Sequence, residues 1–365
     1  MATVGLLHPG EMGAAVGGCL VCVGHEVLWD PAGRSRASTG RALAAELTGV
    51  SSLAELASRC SVILSVCPPH AALDVARGVA ATGFCGVYVD ANAVSVATAS
   101  LVAAMVTDGG ASYVDGGIIG PPPEIAGHTR LYLSGARAEE VRALFGRSAL
   151  DARIADGQPF AASAVKMAYA AWTKGTSALL LACRALARGE GVERTLLAEW
   201  ALSQPALGAQ SERAASAAAA KGWRWVAEME EIAESMAADG LPSGFHQAAA
   251  DIFDRAAHAE TPAAPGTPGA GTAGTNGSAR TSAPGNQSEN GTLNAVISAL
   301  VAAITLRRNV GTRCHHAFMQ FDVGVGHDGS YDRCEGAAED VAGRVAARGL
   351  RAVRGSGVLD RLPRP

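Results

Sequence analysis

Short β-rich runs alternate with helical patterns through the first 155 residues, and no other feature of the chain restricts its fold as much. Strand-like runs fall at Ala2 to Leu7, Glu26 to Trp29, Ser61 to Val66, Gly86 to Asp90, Ser112 to Asp115 and Arg130 to Ser134. Helical stretches separate them, among them Arg36 to Leu47, Ala71 to Ala81, Val96 to Met105 and Ala138 to Phe145. Strands that alternate with helices fold as β-α-β units, so the pattern predicts a doubly wound parallel sheet. After Pro159 the chain turns to long alanine-rich helical runs: Phe160 to Leu186, Val192 to Leu202, Pro205 to Ala220 and Trp223 to Ala238. The expected organisation is an α/β domain over residues 1–157 and an all-helical domain over 158–258.

From Thr261 to Thr292 there is no aliphatic side chain larger than alanine and no aromatic, so nothing offsets the entropy of ordering that stretch. Residues 259–292 are expected to be a disordered linker and 293–365 a tail, with candidate helices at Leu293 to Leu306 and Gly336 to Val353. Removal of residues 260–365 is therefore expected to leave the thermal midpoint and cofactor affinity nearly unchanged.

The formal net charge is -4 and no Lys/Arg stripe is present, which argues against a nucleic-acid partner. The longest apolar run, Ala295 to Leu306, is too short to span a bilayer, so no membrane role is expected. The chain enters a strand-like run at once, without a basic and then apolar leader, and its 8 cysteines follow no disulfide framework. Both features predict a cytoplasmic protein with reduced thiols. Cys19 and Cys22 form a C-x-x-C inside a helix pattern without a second ligand pair. Cys314, His315, His316 and Cys334 match no standard ligand spacing, so no metal is expected.

The stretch VGLLHPGEMGAAVGGCL, Val4 to Leu20, carries the first chemical signal. A dinucleotide-binding turn needs one glycine for the tight turn after the first strand, a second where backbone meets pyrophosphate, and a third where helix packs on strand. Gly10 and Gly13 keep the second and third positions, while His8 takes the first and is expected to bond within its own loop. His8, Pro9, Gly10, Glu11, Met12 and Gly13 are thus the candidate phosphate cradle of a Rossmann domain. Asp30, at the end of the second strand, suits a ribose hydroxyl and NAD. Arg34, Ser35 and Arg36 supply donors suited to a 2′-phosphate, and their clustering tips the expectation to NADP over NAD.

With these residues in place the chain resembles the β-hydroxyacid dehydrogenase superfamily, in particular a bacterial subgroup with an HPGxMG loop often labelled 6-phosphogluconate dehydrogenase-like. The likeness covers residues 1–258. It rests on GEMG at 10–13, SVCPPHAALDVA at 65–76, VDANAVS at 89–95, DGGIIGPPP at 115–123 and AVKMAYAAWTKG at 164–175. The resemblance implies that Cys67, Pro68, Pro69 and Asn92 pass the nicotinamide. It further implies that Ser95, Gly116, Gly117, Ile118, Gly120 and Thr173 meet the substrate, and that a homodimer forms through the helical domain. In such dimers Glu228, Glu231 and His246 would lie near a site outside this chain's own cleft. Trp223, Trp225, Met229 and Ile232 are expected to pack in a core or against a second subunit.

Lys166, Tyr169 and Thr173 recur at three- and four-residue spacing on one face of an otherwise apolar helix. Burial lowers a lysine's pKa toward the range where it relays a proton, and hydride transfer from a hydroxyl carbon needs such a group. The equivalent lysine has that role in the resembling family, so Lys166 is the expected general acid and base. Tyr169 stands where the family has asparagine, a shift toward imine reductases. Ile118 and Ile119 replace smaller or polar residues, and Pro121 and Pro122, which lack an N–H, stand where amides would cradle a carboxylate. The implied activity is hydride transfer between NAD(P) and a β-hydroxyacid-like alcohol or carbonyl. An imine reductase using Tyr169, and a non-catalytic NAD(P)-binding protein, stay open as alternatives.

Overall fold

A computed structural model describes residues 1–259 and 291–302. The linker expected over 259–292 falls almost wholly outside the described residues, as do Cys314, His315, His316, Cys334 and the candidate helix at 336–353. The eight strands are β1 (Thr3–Leu7), β2 (Glu26–Trp29), β3 (Thr48–Gly49), β4 (Val62–Ser65), β5 (Val87–Asp90), β6 (Ser112–Ile119), β7 (Thr129–Ser134) and β8 (Leu150–Ile154). They form one sheet in the order β3-β2-β1-β4-β5-β6-β7-β8. All neighbours are parallel except β6 and β7, which pair antiparallel.

Period-two alternation along the strands feeds two separate cores, one on each face. Val4, Leu6, Val27, Trp29, Val62 and Leu64 face a layer built by α1 (Glu11–Cys22), α2 (Arg36–Ala44) and α6 (Ala138–Leu144). Leu7, Leu28, Ile63 and Tyr88 face the opposite layer, from α3 (Leu53–Arg59), α4 (Ala72–Ala80) and α5 (Val96–Asp108). Helices on both faces make the sheet doubly wound, as the sequence predicts. Strand order reverses at β1, so a crevice opens beyond the carboxyl ends of β1 and β4. β3, α3 and β8 were not legible in the sequence: β3 is two residues long, and β8 lies at the sheet edge with only its first residue, Leu150, fully buried.

Four helices follow the sheet: α7 (Ala161–Gly189), α8 (Glu193–Ser203), α9 (Leu207–Ala238) and α10 (Gly244–Ala257). The two runs expected at 205–220 and 223–238 are one continuous helix, α9. Gly222 does not break it; a Cβ there would stand 2.9 Å from the Phe253 carbonyl oxygen, so this glycine lets α10 pack close.

A last helix, α11, covers residues 291–302. Leu293, Val296, Ile297 and Leu300 repeat at helical spacing, are all buried, and join the core formed by Met167, Leu181, Met229, Ile232 and Phe253. Arg188 of α7 also donates to Asn294 at 3.1 Å. This part of the expected tail is therefore part of the helical core. The expectation that residues 260–365 are dispensable is corrected by that packing.

Candidate functional site

The cleft begins where β1 ends. His8 adopts a left-handed φ of 66°, turning the chain where a dinucleotide loop normally has glycine, and its carbonyl accepts the Gly10 amide at 2.7 Å. A Cβ on Gly13 would come within 2.3 Å of that carbonyl, so only glycine lets α1 pack down on the turn. No atom lies within 4 Å of where a Gly10 Cβ would be, which leaves its backbone open to a ligand. The first-turn amides of α1 have no intrahelical acceptor, and Gly10, Glu11, Met12 and Gly13 line the cleft, an arrangement suited to an anionic phosphate. The His8 ring does not bond within its loop as expected: its buried Nδ1 has no partner. Burial, aided by the Arg34 charge, holds His8 down at about 4, so the ring is neutral near pH 7.

Further along the cleft, Asp30 is turned into its own loop, accepting from the Ala32 amide at 2.8 Å. It does not line the cleft, and neither does Ser35, which caps α2 by accepting from the Ser38 amide. Arg34 and Ser38 do line it, while Arg41 bonds to the Ser38 hydroxyl and the Pro9 carbonyl. The charge presented at this end is that of the arginine, not of the aspartate.

Cys67, Pro68, Pro69 and Asn92 line the middle of the cleft. Asn92 ties the ends of β4 and β5 together: its Oδ1 accepts from the Cys67 amide at 2.6 Å and its Nδ2 donates to the Ser65 hydroxyl at 3.1 Å. Burial pushes the Cys67 thiol up to about 12, so it is no nucleophile near neutrality. Ser95, expected at the substrate, is buried as the cap of α5, and its amide donates to Glu231 at 2.7 Å. Its hydroxyl is spent on the Thr98 amide, which removes Ser95 from the cleft. Glu231 is thus a same-chain brace between α9 and α5.

Gly116 and Gly117, also expected at the substrate, do not line the cleft and are packing positions instead. A Cβ on Gly117 would come within 2.6 Å of the Ala162 carbonyl and 2.9 Å of the Lys166 Cβ; one on Gly116 would meet the Asp90 carbonyl at 2.9 Å. Gly117 thus lets α7 lie against β6, and Gly116 lets β6 lie against the end of β5. Ile118, Ile119, Gly120, Pro121 and Pro122 continue into the cleft wall.

On α7, Lys166, Tyr169 and Thr173 all line the cleft, with Lys174 beside them. The Thr173 hydroxyl donates back to the Tyr169 carbonyl at 3.1 Å, and the Tyr169 ring is half exposed at 48%. Burial draws Lys166 down to about 8 and Lys174 well below its usual value. Glu228 of α9, itself buried, bridges both: its Oε1 is 3.3 Å from the Lys166 ammonium, outside hydrogen-bond alignment, and its Oε2 accepts from Lys174. The Lys166 charge adds to the effect of burial on Lys174, while the Tyr169 charge opposes that of burial on Lys166. Lys174 also sits 5.6 Å over the Trp225 ring.

Glu228 therefore belongs to this chain's own cleft, contrary to its expected place across a dimer. His246 does not reach the cleft; it is buried against Gly175, with Nε2 3.4 Å from the Ala171 carbonyl. Trp223 and Trp225, expected to be packing residues, both line the cleft; Trp225 also stacks edge-on against Phe253, while Met229 and Ile232 are buried in the helical core. Lys174, Ser38, Lys221 and Arg224 were missed. Lys221, Arg224, Trp225 and Glu228 fall at helical spacing on one side of α9, a signal that was available. Lys221 and Arg224 each stand 3.5 Å from Glu11, linking α9 to the phosphate turn. The cleft has a volume of about 790 Å³ and runs from His8 to Glu228. Among the described residues no three His, Cys, Asp or Glu side chains gather as a metal site.

Residues 187–256 match a domain of unknown function, DUF1932. A conserved protein of unknown function, reported as structurally similar to 3-hydroxyacid dehydrogenases, is 26% identical, with a TM-score of 0.53 over 70% of this chain and 97% of its own. The chain has the β-hydroxyacid dehydrogenase-like fold. The Mycobacterium tuberculosis 3-hydroxyisobutyrate dehydrogenase shares this dehydrogenase-like fold at 19% identity and TM-score 0.55, over 70% of this chain and 93% of that one. A conserved hypothetical protein from Sinorhizobium meliloti 1021 shares it at 22% identity and TM-score 0.57, over 82% and 97%. No curated protein matches the sequence. Among the described residues no helix is long and apolar enough to cross a membrane.

Proposed function

We propose that the protein is an NAD(P)-dependent oxidoreductase acting on a β-hydroxyacid-like alcohol or its carbonyl, with Lys166 as the general acid and base. The observation that carries this reading is a largely buried lysine, its side chain 16% exposed, in the same cleft as a glycine-shaped phosphate turn. The residues present fit a dinucleotide: the open Gly10 backbone, the α1 amides and Arg34 offer donors to phosphates, and the 67–69 loop braced by Asn92 offers a wall for the nicotinamide. When bound, that group supplies or accepts hydride at the substrate carbon. Lys166 holds the proton that the substrate oxygen gains in reduction and takes it back in oxidation. Tyr169 is within the same cleft to orient that oxygen.

Arg34 and Ser38 in the cleft, with Asp30 turned aside, support NADP over NAD. A homodimer is part of the same proposal. Val165, Tyr169, Trp172, Leu179 and Leu186 recur along α7 at helical spacing and are exposed, a face suited to a second copy. A cytoplasmic setting agrees with a fold that lacks a membrane-spanning helix among the described residues. Titration with NADPH and with NADH, followed by a carbonyl screen for cofactor oxidation, tests the reading. Tight NADPH binding with turnover of at least one carbonyl supports it; cofactor binding without any turnover favours a non-catalytic binder.

A further inference from the structure

The reaction end of the cleft carries its own carboxylate, and this bears on which substrates it admits. Glu228 is only 6% exposed, yet it lines the cleft beside Lys166. Its Oε2 takes Lys174, whose ammonium is packed over Trp225. The two ammonium groups nearest the reacting position therefore already share an anion from within the chain. Of the other cations in the cleft wall, Lys221 and Arg224 each stand 3.5 Å from Glu11, and Arg34 lies beside His8 at the phosphate turn.

A substrate carboxylate entering here would have to displace Glu228 from its lysines or lie close to a like charge, and either is costly beside a carboxylate as buried as Glu228. The loop that faces it offers little in return. Pro121 and Pro122 have no N–H, and Ile118 and Ile119 are apolar. The unfilled requirement of the site is of the other kind. Glu228 Oε1 is buried and has the Lys166 ammonium 3.3 Å away without an aligned hydrogen bond, an acceptor that a hydroxyl satisfies and a carboxylate does not. Around it, the rings of Tyr169 and Trp223, about half exposed, and the partly buried Trp225 supply apolar area.

We infer that the site takes a neutral alcohol or ketone with an apolar or aromatic body, in which the acid function of a hydroxyacid is absent or esterified. This rests on the oxidoreductase reading but concerns a separate property, the charge of the substrate. It follows from the shared Glu228 and the donor-poor loop, and not from the cofactor end.

A matched pair of probes tests it: 3-hydroxy-3-phenylpropanoate and its methyl ester, titrated calorimetrically into the full chain saturated with NADP. The ester is expected to bind at least ~10-fold more tightly than the acid. Glu228→Gln is expected to shrink that ratio by admitting the acid. The inference is overturned if the acid binds as well as the ester in the unaltered protein, if neither binds, or if Glu228→Gln folds and leaves the ratio unchanged. The comparison on the unaltered protein decides without the variant. Because the readout is binding, a bound ester that is never oxidised counts against hydride transfer and not against neutral-substrate selection.

Discussion

The Asp115 carboxylate accepts the backbone amide of Ser163 at 3.0 Å, and the Ser163 hydroxyl as well, three residues ahead of Lys166 on α7. It also receives the Ser134 hydroxyl at 2.8 Å, so one buried group joins β6, β7 and the first turn of the helix that carries the lysine. Asp115→Ala leaves those donors unpaired in a buried site and is expected to cost about 2–4 kcal/mol. Denaturant unfolding measures that loss, and kcat is expected to fall alongside because Lys166 loses its fixed height on the sheet.

Activity is expected to follow the protonation of Lys166. Burial draws its pKa down to about 8, with the Tyr169 charge acting the other way. Carbonyl reduction needs the ammonium as acid, so kcat/KM in that direction declines as pH rises through about 8. Alcohol oxidation needs the neutral amine, so its rate climbs over the same range. Parallel pH profiles in both directions check this; profiles that move together would place the proton elsewhere.

Stability is expected to carry a signature of Asp90. Burial, strengthened by the nearby Asp115 charge, raises Asp90 from an ordinary 3.8 to about 7. Between those values the folded protein holds a proton that the unfolded chain has released, so this residue's contribution falls as pH rises from about 4 to 7. His8, held at about 4, acts in the opposite sense between about 4 and 6.5, where the unfolded chain binds the extra proton. The Asp90→Asn variant isolates the first effect: the thermal midpoint of the unaltered protein, measured against the variant, should decline across that window.

Ile297 is fully buried in the helical core. Ile297→Ala is expected to cost about 2–4 kcal/mol, with a matching drop in thermal midpoint. A midpoint unchanged by this substitution would mean that α11 does not pack as described.

The parts of the site that rest on local sequence were legible. Gly13 announces the turn because a Cβ there would strike the His8 carbonyl, and Gly10 because it leaves bare backbone for a ligand; the spacing of Lys166, Tyr169 and Thr173 sets them on one face of α7. Three-dimensional relations were not. DGG at 115–117 reads equally as a ligand loop or as room for a helix, and only the distance from Gly117 to Ala162 decides for the second. Ser95 reads as a polar group near a site, although a serine ahead of a helix is as readily its cap. Glu228 lies 54 residues from Lys174 in the chain, so no pattern along the sequence joins them. Leu293, Val296, Ile297 and Leu300 show helical spacing, but the polar stretch before them hid their common core with α7, α9 and α10.

In the proposed reaction Lys166 handles the proton. Steady-state rates of NADPH oxidation with a carbonyl substrate, compared for the unaltered protein, Lys166→Ala and Tyr169→Phe, test it most directly, with NADPH affinity measured on each. Lys166→Ala is expected to lose about 100- to 10,000-fold in kcat while binding NADPH normally, and Tyr169→Phe to lose far less. Unimpaired turnover by Lys166→Ala, with Tyr169→Phe inactive, would contradict it and move the proton donor to the tyrosine.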